Sequence, residues 1–202
     1  RRAFVFSSSM APYAMSFDGR RILDLVDLDS AKWREYAHHR PWPLSTVFSR
    51  EARTLGAFEQ QAAKAFDQTL FVSEAEAQEF RLLNPEGRAA VAAMPNGVDL
   101  AYFSPDKRHP DPFAPGGCRL VFTGAMDYWP NIDAVTWFAE QVLPGLRAAG
   151  MPAHFYIVGS RPSRAVRSLA RLPHVTVTGR VADVRPFLAH AFAAVAPLRV
   201  AR

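Results

Sequence analysis

Short apolar runs alternate with stretches of helical spacing along nearly the whole chain. Apolar runs of strand length occur at residues 4–7, 22–25, 68–72, 91–94, 119–123, 155–158, 175–177 and 192–196. Apolar residues recur at helical spacing over 30–37, 45–66, 74–83, 132–146, 163–170 and 183–190. Parallel sheets covered by helices produce this alternation, so the sequence predicts an α/β fold.

Three local signals refine the predicted elements. Ser73 and Glu76 stand three residues apart where a helical stretch begins, which is the arrangement of a capping box. The segment Pro95-Asn96-Gly97 predicts a tight turn, because Asn and Gly tolerate a positive φ. Pro144 falls within a helical stretch, so we expect a kink or a break there.

The segment from Ser104 to Gly117 interrupts the alternation with prolines, glycines and charged residues. Neither a helix nor a strand is expected to persist through such a composition. The sequence therefore predicts two domains, at residues 1–103 and 118–202, with an inter-domain linker at residues 104–117.

Composition places the chain among ordinary globular proteins, with 49% hydrophobic and 21% charged residues. Cys118 is the single cysteine, which excludes an internal disulfide and fits a reducing, cytoplasmic location. No apolar run has the length of about 18 residues that a membrane span needs. The net charge of +5 comes mostly from scattered arginines. Such a surface favours phosphate-bearing ligands or anionic lipid, or is simply solvated.

The loops that follow the strands are the places where we expect a ligand. In open parallel sheets, ligands bind outside the carboxyl ends of the strands, where loops and helix N-termini meet. Gly124, Gly159 and Gly179 each end an apolar strand in the second half, and glycine lets backbone N–H groups approach a phosphate. The alternative is that each glycine only makes a turn between a strand and the next helix.

Several enzyme classes lack their signatures in this sequence. A Walker sequence, a Gly-x-Gly-x-x-Gly after a strand and a Gly-x-Ser-x-Gly elbow are all missing. Asp24, Asp27 and Asp29 stand close together after a strand, which allows a metal site. The interpretation that we favour is that Asp29 or Ser30 caps the next helix and the other carboxylates face solvent.

Motifs along nearly the whole chain resemble those of family 4 glycosyltransferases. The inter-domain signature of that family resembles residues 71–74, Phe-Val-Ser-Glu, and residues 94–99, Met-Pro-Asn-Gly-Val-Asp, in the same order. Its donor domain resembles residues 121–124, 156–159, 177–181 and 196–198. Residues 26–37 and 126–134 resemble more narrowly the sugar transferases associated with PEP-CTERM and exosortase systems.

The resemblance implies a GT-B fold, in which two Rossmann-like domains with parallel sheets face each other. Residues 1–103 would then be the C-terminal part of the acceptor-side domain, and residues 118–202 the N-terminal part of the donor-binding domain. The chain is expected to be truncated at both ends and to be inactive alone, because the catalytic carboxylates of the family would lie beyond Arg202.

The resemblance also implies the reaction and its partners. A retaining transferase would move a sugar from a nucleotide diphosphate-sugar to a saccharide or lipid-linked acceptor in exopolysaccharide assembly. It would need no metal and no other cofactor. It would be cytoplasmic, and a peripheral contact with the inner face of the membrane stays open.

Candidate site residues follow from the same motifs. The resemblance implies that the donor is bound by Gly124, Ala125, Arg180, Val181 and Arg199, and that the inter-domain cleft contains Ser73, Asn96 and Gly97. The family often carries a Lys or Arg soon after the first strand of the donor domain. Residues 126–130 of this chain contain neither.

Two other classes of function are compatible with parts of the sequence. A non-catalytic, two-lobed α/β protein that binds a small ligand would also carry two runs of strands and helices with a hinge between them. A nucleic-acid-binding module would use the positive charge, but no helix-turn-helix, zinc or stacking signature supports it, so nucleic acid is not an expected partner.

Overall fold

A computed structural model describes residues 1–85 and 90–199 of the chain. The chain forms two compact units, Arg1–Val98 and Asp99–Arg202, and each has its own hydrophobic core. Within the described residues, no helix combines the length and the apolar character that a bilayer-crossing segment needs.

The first unit contains a parallel sheet of four strands in the order β1-β2-β3-β4. Its elements are β1 (Arg2–Phe6), a 3₁₀ helix (Ser8–Tyr13), β2 (Arg20–Val26), α1 (Asp29–His38), α2 (Leu44–Ala65), β3 (Gln68–Phe71), α3 (Glu74–Leu83) and β4 (Ala90–Ala93). Leu23, Leu25 and Phe71 of the strands pack against Ala62 of α2 and Phe80 of α3. These elements follow the predicted pattern closely, because strand and helix periodicities are both local properties.

We use the name helical arm for α1 and the first part of α2, residues 29–51, which pack against each other. Only Ser30 and Ala31, at the start of α1, are buried within it. None of the residues from Leu44 to Glu51 is buried, and Ala52 is the first buried residue of α2. The arm is held together by rings, because the centroid of Trp33 lies 5.2 Å from that of Phe48 and 5.8 Å from that of Tyr36. Its tip is formed by residues 41–47.

The N-terminus of α1 is capped by carboxylates from other elements. The backbone N–H of Leu28 donates to Glu76 Oε1 at 3.1 Å, and that of Ser30 donates to Glu59 Oε1 at 3.1 Å. The N-cap residue itself makes no side-chain cap. The prediction that Asp29 or Ser30 caps this helix is therefore wrong, because α2 and α3 bring their own acceptors to the exposed amides.

The three aspartates around the start of α1 do not form one cluster. Asp24 is buried and accepts a hydrogen bond from the N–H of Val26 at 3.0 Å, so the expectation that it faces solvent is wrong. Asp27 and Asp29 both lie within 4 Å of Lys32 Nζ. No group of three or more potential metal ligands occurs among the described residues. Val26 has a φ of 67°, which is rare for a β-branched residue and marks the irregular end of β2.

The second unit contains a parallel sheet of four strands in the order β7-β6-β5-β8. Its elements are β5 (Cys118–Thr123), α4 (Trp129–Trp137), a π-helical turn (Phe138–Val142), α5 (Leu143–Ala148), β6 (Ala153–Val158), α6 (Arg164–Leu169), β7 (Val175–Gly179), α7 (Arg185–Ala189) and β8 (Ala193–Ala194). Phe122, Phe138, Phe155 and Ile157 lie in its main core. The last strand is shorter than predicted, since only two residues pair with β5.

The predicted long helix of this unit changes its hydrogen-bonding pattern just before Pro144. The chain changes from α to π hydrogen bonding at Phe138 and returns to α-helix at Leu143, so that Pro144 falls in the first turn of α5. A proline there removes no intrahelical hydrogen bond, because the first N–H groups of a helix have no partner within it. The residues from Trp129 to Ala148 stay helical, so the predicted irregularity at Pro144 is a π-helical turn within the helix and not a separation into two helices.

The segment Ser104 to Gly117 contains neither helix nor strand. Phe113 nevertheless packs against Val121 and Val158 in a small core on the face of the sheet opposite the main core, and its ring centroid lies 4.5 Å from that of Tyr156. This segment therefore belongs structurally to the second unit.

Candidate functional site

The register of the second sheet brings the three strand-end glycines to one edge. Thr123 of β5 pairs with Val158 of β6, and Val158 pairs with Gly179 of β7, all in parallel. The loops that begin at Gly124 and Gly159 therefore leave the same carboxyl edge at which β7 ends in Gly179. This confirms the prediction that the three glycines share one edge of a single parallel sheet.

Close packing between two of these loops requires glycine. A Cβ atom at Gly159 would lie 1.7 Å from the carbonyl oxygen of Gly124, a separation that real Cβ atoms do not show. The N–H of Gly124 donates to Val158 O at 3.2 Å, and the N–H of Gly159 donates to Gly179 O at 3.2 Å. The N–H groups of both glycines therefore already donate to carbonyl groups of the protein. The amide of Ala125, in contrast, has no acceptor among the described residues.

Further hydrogen bonds fasten the Gly124 loop to its surroundings. The N–H of Met126 donates to Ser160 O at 2.9 Å, and the N–H of Ser163 donates to Met126 O at 3.1 Å. Asn131, in the first turn of α4, donates from Nδ2 to Ala125 O at 3.0 Å. Met126 is fully buried, so the loop is anchored by packing as well as by hydrogen bonds. The result is a rigid loop that leads directly into the N-terminus of α4.

Arg161 is a cation at this edge that the sequence motifs do not identify. Its Nε lies 3.0 Å from Asp127 Oδ2 on the Gly124 loop, and 73% of its side chain is exposed. Nη1 and Nη2 have no partner among the described residues. Its φ of 53° lies in the left-handed region, which costs free energy for a residue other than glycine and often marks a functional position. An arginine two positions after a strand-end glycine is the signal that would find it.

The other predicted donor residues have different surroundings. Arg180 is exposed, directly after Gly179, whereas Val181 is partly buried against the small core around Phe113. Arg199 forms a two-point ion pair with Asp133 of α4, with Nε–Oδ2 at 3.0 Å and Nη2–Oδ1 at 2.5 Å. Its guanidinium is also 5.6 Å from the centroid of the Trp137 ring.

The residues assigned to the inter-domain cleft all lie in the first unit. Ser73 is the N-cap of α3 and accepts a hydrogen bond from the N–H of Glu76 at 3.3 Å, so its predicted capping role is confirmed. The capping box is only half formed among the described residues, because Glu76 Oε1 accepts from the N–H of Leu28 and not from that of Ser73. Asn96 and Gly97 are exposed in the segment after β4. Their assignment to a cleft stays a prediction.

The strand-end edge has the features of an anion site. The loop and α4 are continuous, so the positive end of the helix dipole points to the edge where the Ala125 amide and Arg161 lie. Asp127 is the acid of the loop, and its pairing with Arg161 offsets a charge that would otherwise repel an anion. The arrangement can stabilise a phosphate or diphosphate group through backbone N–H groups and a guanidinium.

Comparisons with known proteins agree with this geometry. Residues 117–202 match the family model described as "Glycosyl transferases group 1". A UDP-forming α,α-trehalose-phosphate synthase from Burkholderia xenovorans superposes with a TM-score of 0.59 and 13% identity, over 93% of this chain and 50% of that chain. Sucrose-phosphate synthase from Thermosynechococcus elongatus gives 0.58 and 14%, over 98% and 50%. HepE from Anabaena, in complex with UDP and glucose, gives 0.54 and 15%, over 93% and 50%.

These matches confirm the predicted α/β fold of GT-B type with two parallel sheets. The family model over residues 117–202 agrees with the predicted enzyme class, glycosyltransferase. The chain spans about half the length of the solved structures that it matches. No curated protein sequence matches it.

Proposed function

We propose that the chain is part of a retaining glycosyltransferase whose second unit binds a nucleotide diphosphate-sugar. The observation that carries the proposal is the register of β5, β6 and β7, which places Gly124, Gly159 and Gly179 at one sheet edge beside the N-terminus of α4. The family model covers the same part of the chain. Solved neighbours include a UDP-forming synthase and a complex with UDP and glucose, which favours UDP as the first nucleotide to test.

The diphosphate would be stabilised by groups that stay fixed during the reaction. The Ala125 amide supplies a donor, the N-terminus of α4 supplies a positive dipole, and Arg161 supplies a full charge through Nη1 and Nη2. Such preorganised donors stabilise the negative charge that develops on a departing diphosphate. The strand end at Gly179 and the segment Arg180-Val181 would contact the nucleoside, and Arg199 would act beside α4.

The finer parts of the function come from the sequence motifs. The first unit would bind the acceptor, a saccharide or a lipid-linked saccharide, and the cleft would contain Ser73, Asn96 and Gly97. The resemblance to family 4 and to PEP-CTERM-associated transferases supports a role in exopolysaccharide assembly in the cytoplasm. No metal or other cofactor is part of the proposed reaction.

Calorimetric titration of the full chain with UDP and with GDP tests the donor site. We expect one of the nucleotides to bind, and Arg161→Ala to weaken that binding about tenfold, because a charge-assisted contact to phosphate is lost. Gly124→Val is a poor test, since its Cβ would lie 2.8 Å from Asn131 Nδ2 and 3.2 Å from Phe122 Cε1 and would disturb the loop itself.

Arg171→Ala is the matched control. Arg171 is also exposed in the second unit, but it lies between α6 and β7, where the chain approaches the opposite edge of the sheet. Its removal changes the net charge equally and should leave nucleotide binding unchanged. If neither nucleotide binds, or if both arginine variants weaken binding alike, the donor-site assignment is wrong. Binding of a small ligand that carries no nucleotide would instead favour the alternative of a non-catalytic, two-lobed protein that binds a small ligand.

A further inference from the structure

The tip of the helical arm exposes large apolar side chains to solvent. Trp42 is 80% exposed, Val47 is 50% exposed and Leu44 is 47% exposed. Leu44 and Val47 are three residues apart on α2, so they lie on the same face of the helix. Three large apolar side chains exposed within six residues are costly in water, and they have no role in the donor site.

Basic residues accompany this tip along both helices of the arm. Arg50 and Arg53 are exposed on α2, one and two turns after the tip, and neither has an ion pair among the described residues. Arg53 also lines a groove of about 570 Å³ between α1 and α2, together with Arg34 and His38. The side chains that line this groove include no carboxylate.

We propose that the helical arm docks on an anionic lipid bilayer, with Trp42, Leu44 and Val47 in the headgroup region and the arginines against lipid phosphates. Tryptophan is favoured at the interface between lipid and water, because its ring is apolar and its N–H is polar. Exposed arginines attract an anionic membrane surface, and the two contributions together give reversible binding. This inference goes beyond the proposed sugar transfer and does not depend on it.

The size and the charge of the surface favour lipid over a second copy of the chain. A stable protein interface buries roughly 800 Å² on each partner, whereas the tip offers only three exposed apolar side chains among residues 41–47. Two copies that met tip to tip would also bring their unpaired arginines together. An anionic bilayer matches both the apolar tip and the positive charge beside it.

Sedimentation of the full chain with vesicles tests the proposal. We expect binding to vesicles of phosphatidylcholine mixed with phosphatidylglycerol, weaker binding to phosphatidylcholine alone, and release by salt. Brominated lipid should quench part of the tryptophan fluorescence, and Trp42→Ala should abolish that quenching. Added inorganic phosphate should compete only through its ionic strength, which separates lipid docking from a site for free phosphate.

Two pairs of variants locate the surface. Trp42→Ala should weaken vesicle binding roughly tenfold, whereas Tyr13→Ala should leave it unchanged, although Tyr13 is 82% exposed in the same unit. The double variant Arg50→Glu with Arg53→Glu should weaken binding at least about 25-fold. Arg164→Glu with Arg171→Glu changes the net charge equally in the second unit and should have a much smaller effect.

Three results would overturn the proposal. The first is a chain that stays in the supernatant with every vesicle composition. The second is equal loss of binding in the arm variants and their controls, which would indicate attraction by net charge alone. The third is a dimer that Trp42→Ala dissociates, because the tip would then be covered by a second copy. Circular dichroism of each variant checks that it is folded.

Discussion

Gly159 shows how tightly the candidate site is packed at the level of single residues. The carbonyl oxygen of Gly124 occupies the space where any other residue would place its Cβ. Neither backbone can move freely, because each glycine N–H donates to the neighbouring strand or loop. The role of Gly159 is therefore the close approach of two loops rather than an unusual φ.

Gly159→Ala should lower the free energy of unfolding of the second unit by about 3 kcal/mol or more, because backbone atoms must shift to admit the methyl group. Gly145→Ala is the control: no atom lies within 4 Å of its added Cβ, and it sits in α5. We expect that change to be neutral or to stabilise the unit by about 0.5–1 kcal/mol. Urea unfolding of both variants measures the difference. Equal unfolding curves would contradict the packing argument.

Among elements, α1 depends on carboxylates supplied by other helices. Glu59 has only 1% of its surface exposed, and its Oε2 has no hydrogen-bond partner among the described residues. Burial raises the pKa of Glu59 to about 6, while the hydrogen bonds from Ser30 act in the opposite direction. Burial also raises the pKa of Glu76. The cap thus contains buried carboxylates that are costly to ionise.

The stability of the first unit should therefore depend on pH through Glu59. The pKa of Glu59 in the folded state lies above the unfolded value of 4.5. As the pH falls, Glu59 is therefore protonated in the folded state before it is protonated in the unfolded state, and the folded state becomes more stable from above pH 6 down to pH 4.5. The contribution is about 2 kcal/mol for a shift of this size. Glu59→Gln should remove this part of the pH dependence, whereas Glu51→Gln, exposed on the same helix, should not. Urea unfolding at several pH values is the measurement, and parallel pH profiles for the wild type and Glu59→Gln would contradict it.

The sequence predicts elements well where the cause is local. Apolar periodicity locates the strands of both sheets, and Pro144 predicts an irregularity in the long helix of the second unit, where the π-helical turn lies just before it. The sequence does not predict the cap of α1, because Glu59 and Glu76 lie about 30 and 48 positions along the chain from the amides that donate hydrogen bonds to them. Distant partners of this kind depend on the tertiary fold.

The sequence predicts the part of the candidate site that follows from local pattern and misses the part that depends on contacts between loops. Strand-end glycines follow from the α/β pattern, because parallel strands end at a common edge. Arg161 does not follow from it, since its left-handed φ and its pairing with Asp127 arise only when two loops meet. The assignments of Arg180, Val181 and Arg199 to the donor rest on resemblance and stay predictions.

At the scale of the whole molecule, the chain is organised as two units with separate cores. The sequence places the linker at 104–117, whereas contacts divide the chain after Val98. Phe113 packs in the second unit, and Asp111 pairs with Arg119 of β5 at 3.0 Å. The segment before β5 is thus part of what stabilises that unit.

Two fragments test where the second unit begins. The fragment 99–202 should fold alone, because it contains all residues of the main core of this unit and the segment that covers the second face of its sheet. The fragment 118–202 lacks Phe113, which is 8% exposed in the chain, and should be less stable by about 3 kcal/mol. Circular dichroism during urea unfolding compares them. Equal stability would support a boundary within 104–117.

Cys118 gives this molecule a built-in chemical reporter. The thiol is the only one in the chain, it is 8% exposed at the start of β5, and burial raises its pKa. A thiol reagent added to the native protein should therefore react with Cys118 only when the second unit opens, because the thiol is buried and mostly protonated in the folded state. Unfolding of the first unit should leave Cys118 covered, because Cys118 lies in the core of the second unit. The labelling rate of the intact chain consequently follows one half of the protein, without any engineered probe.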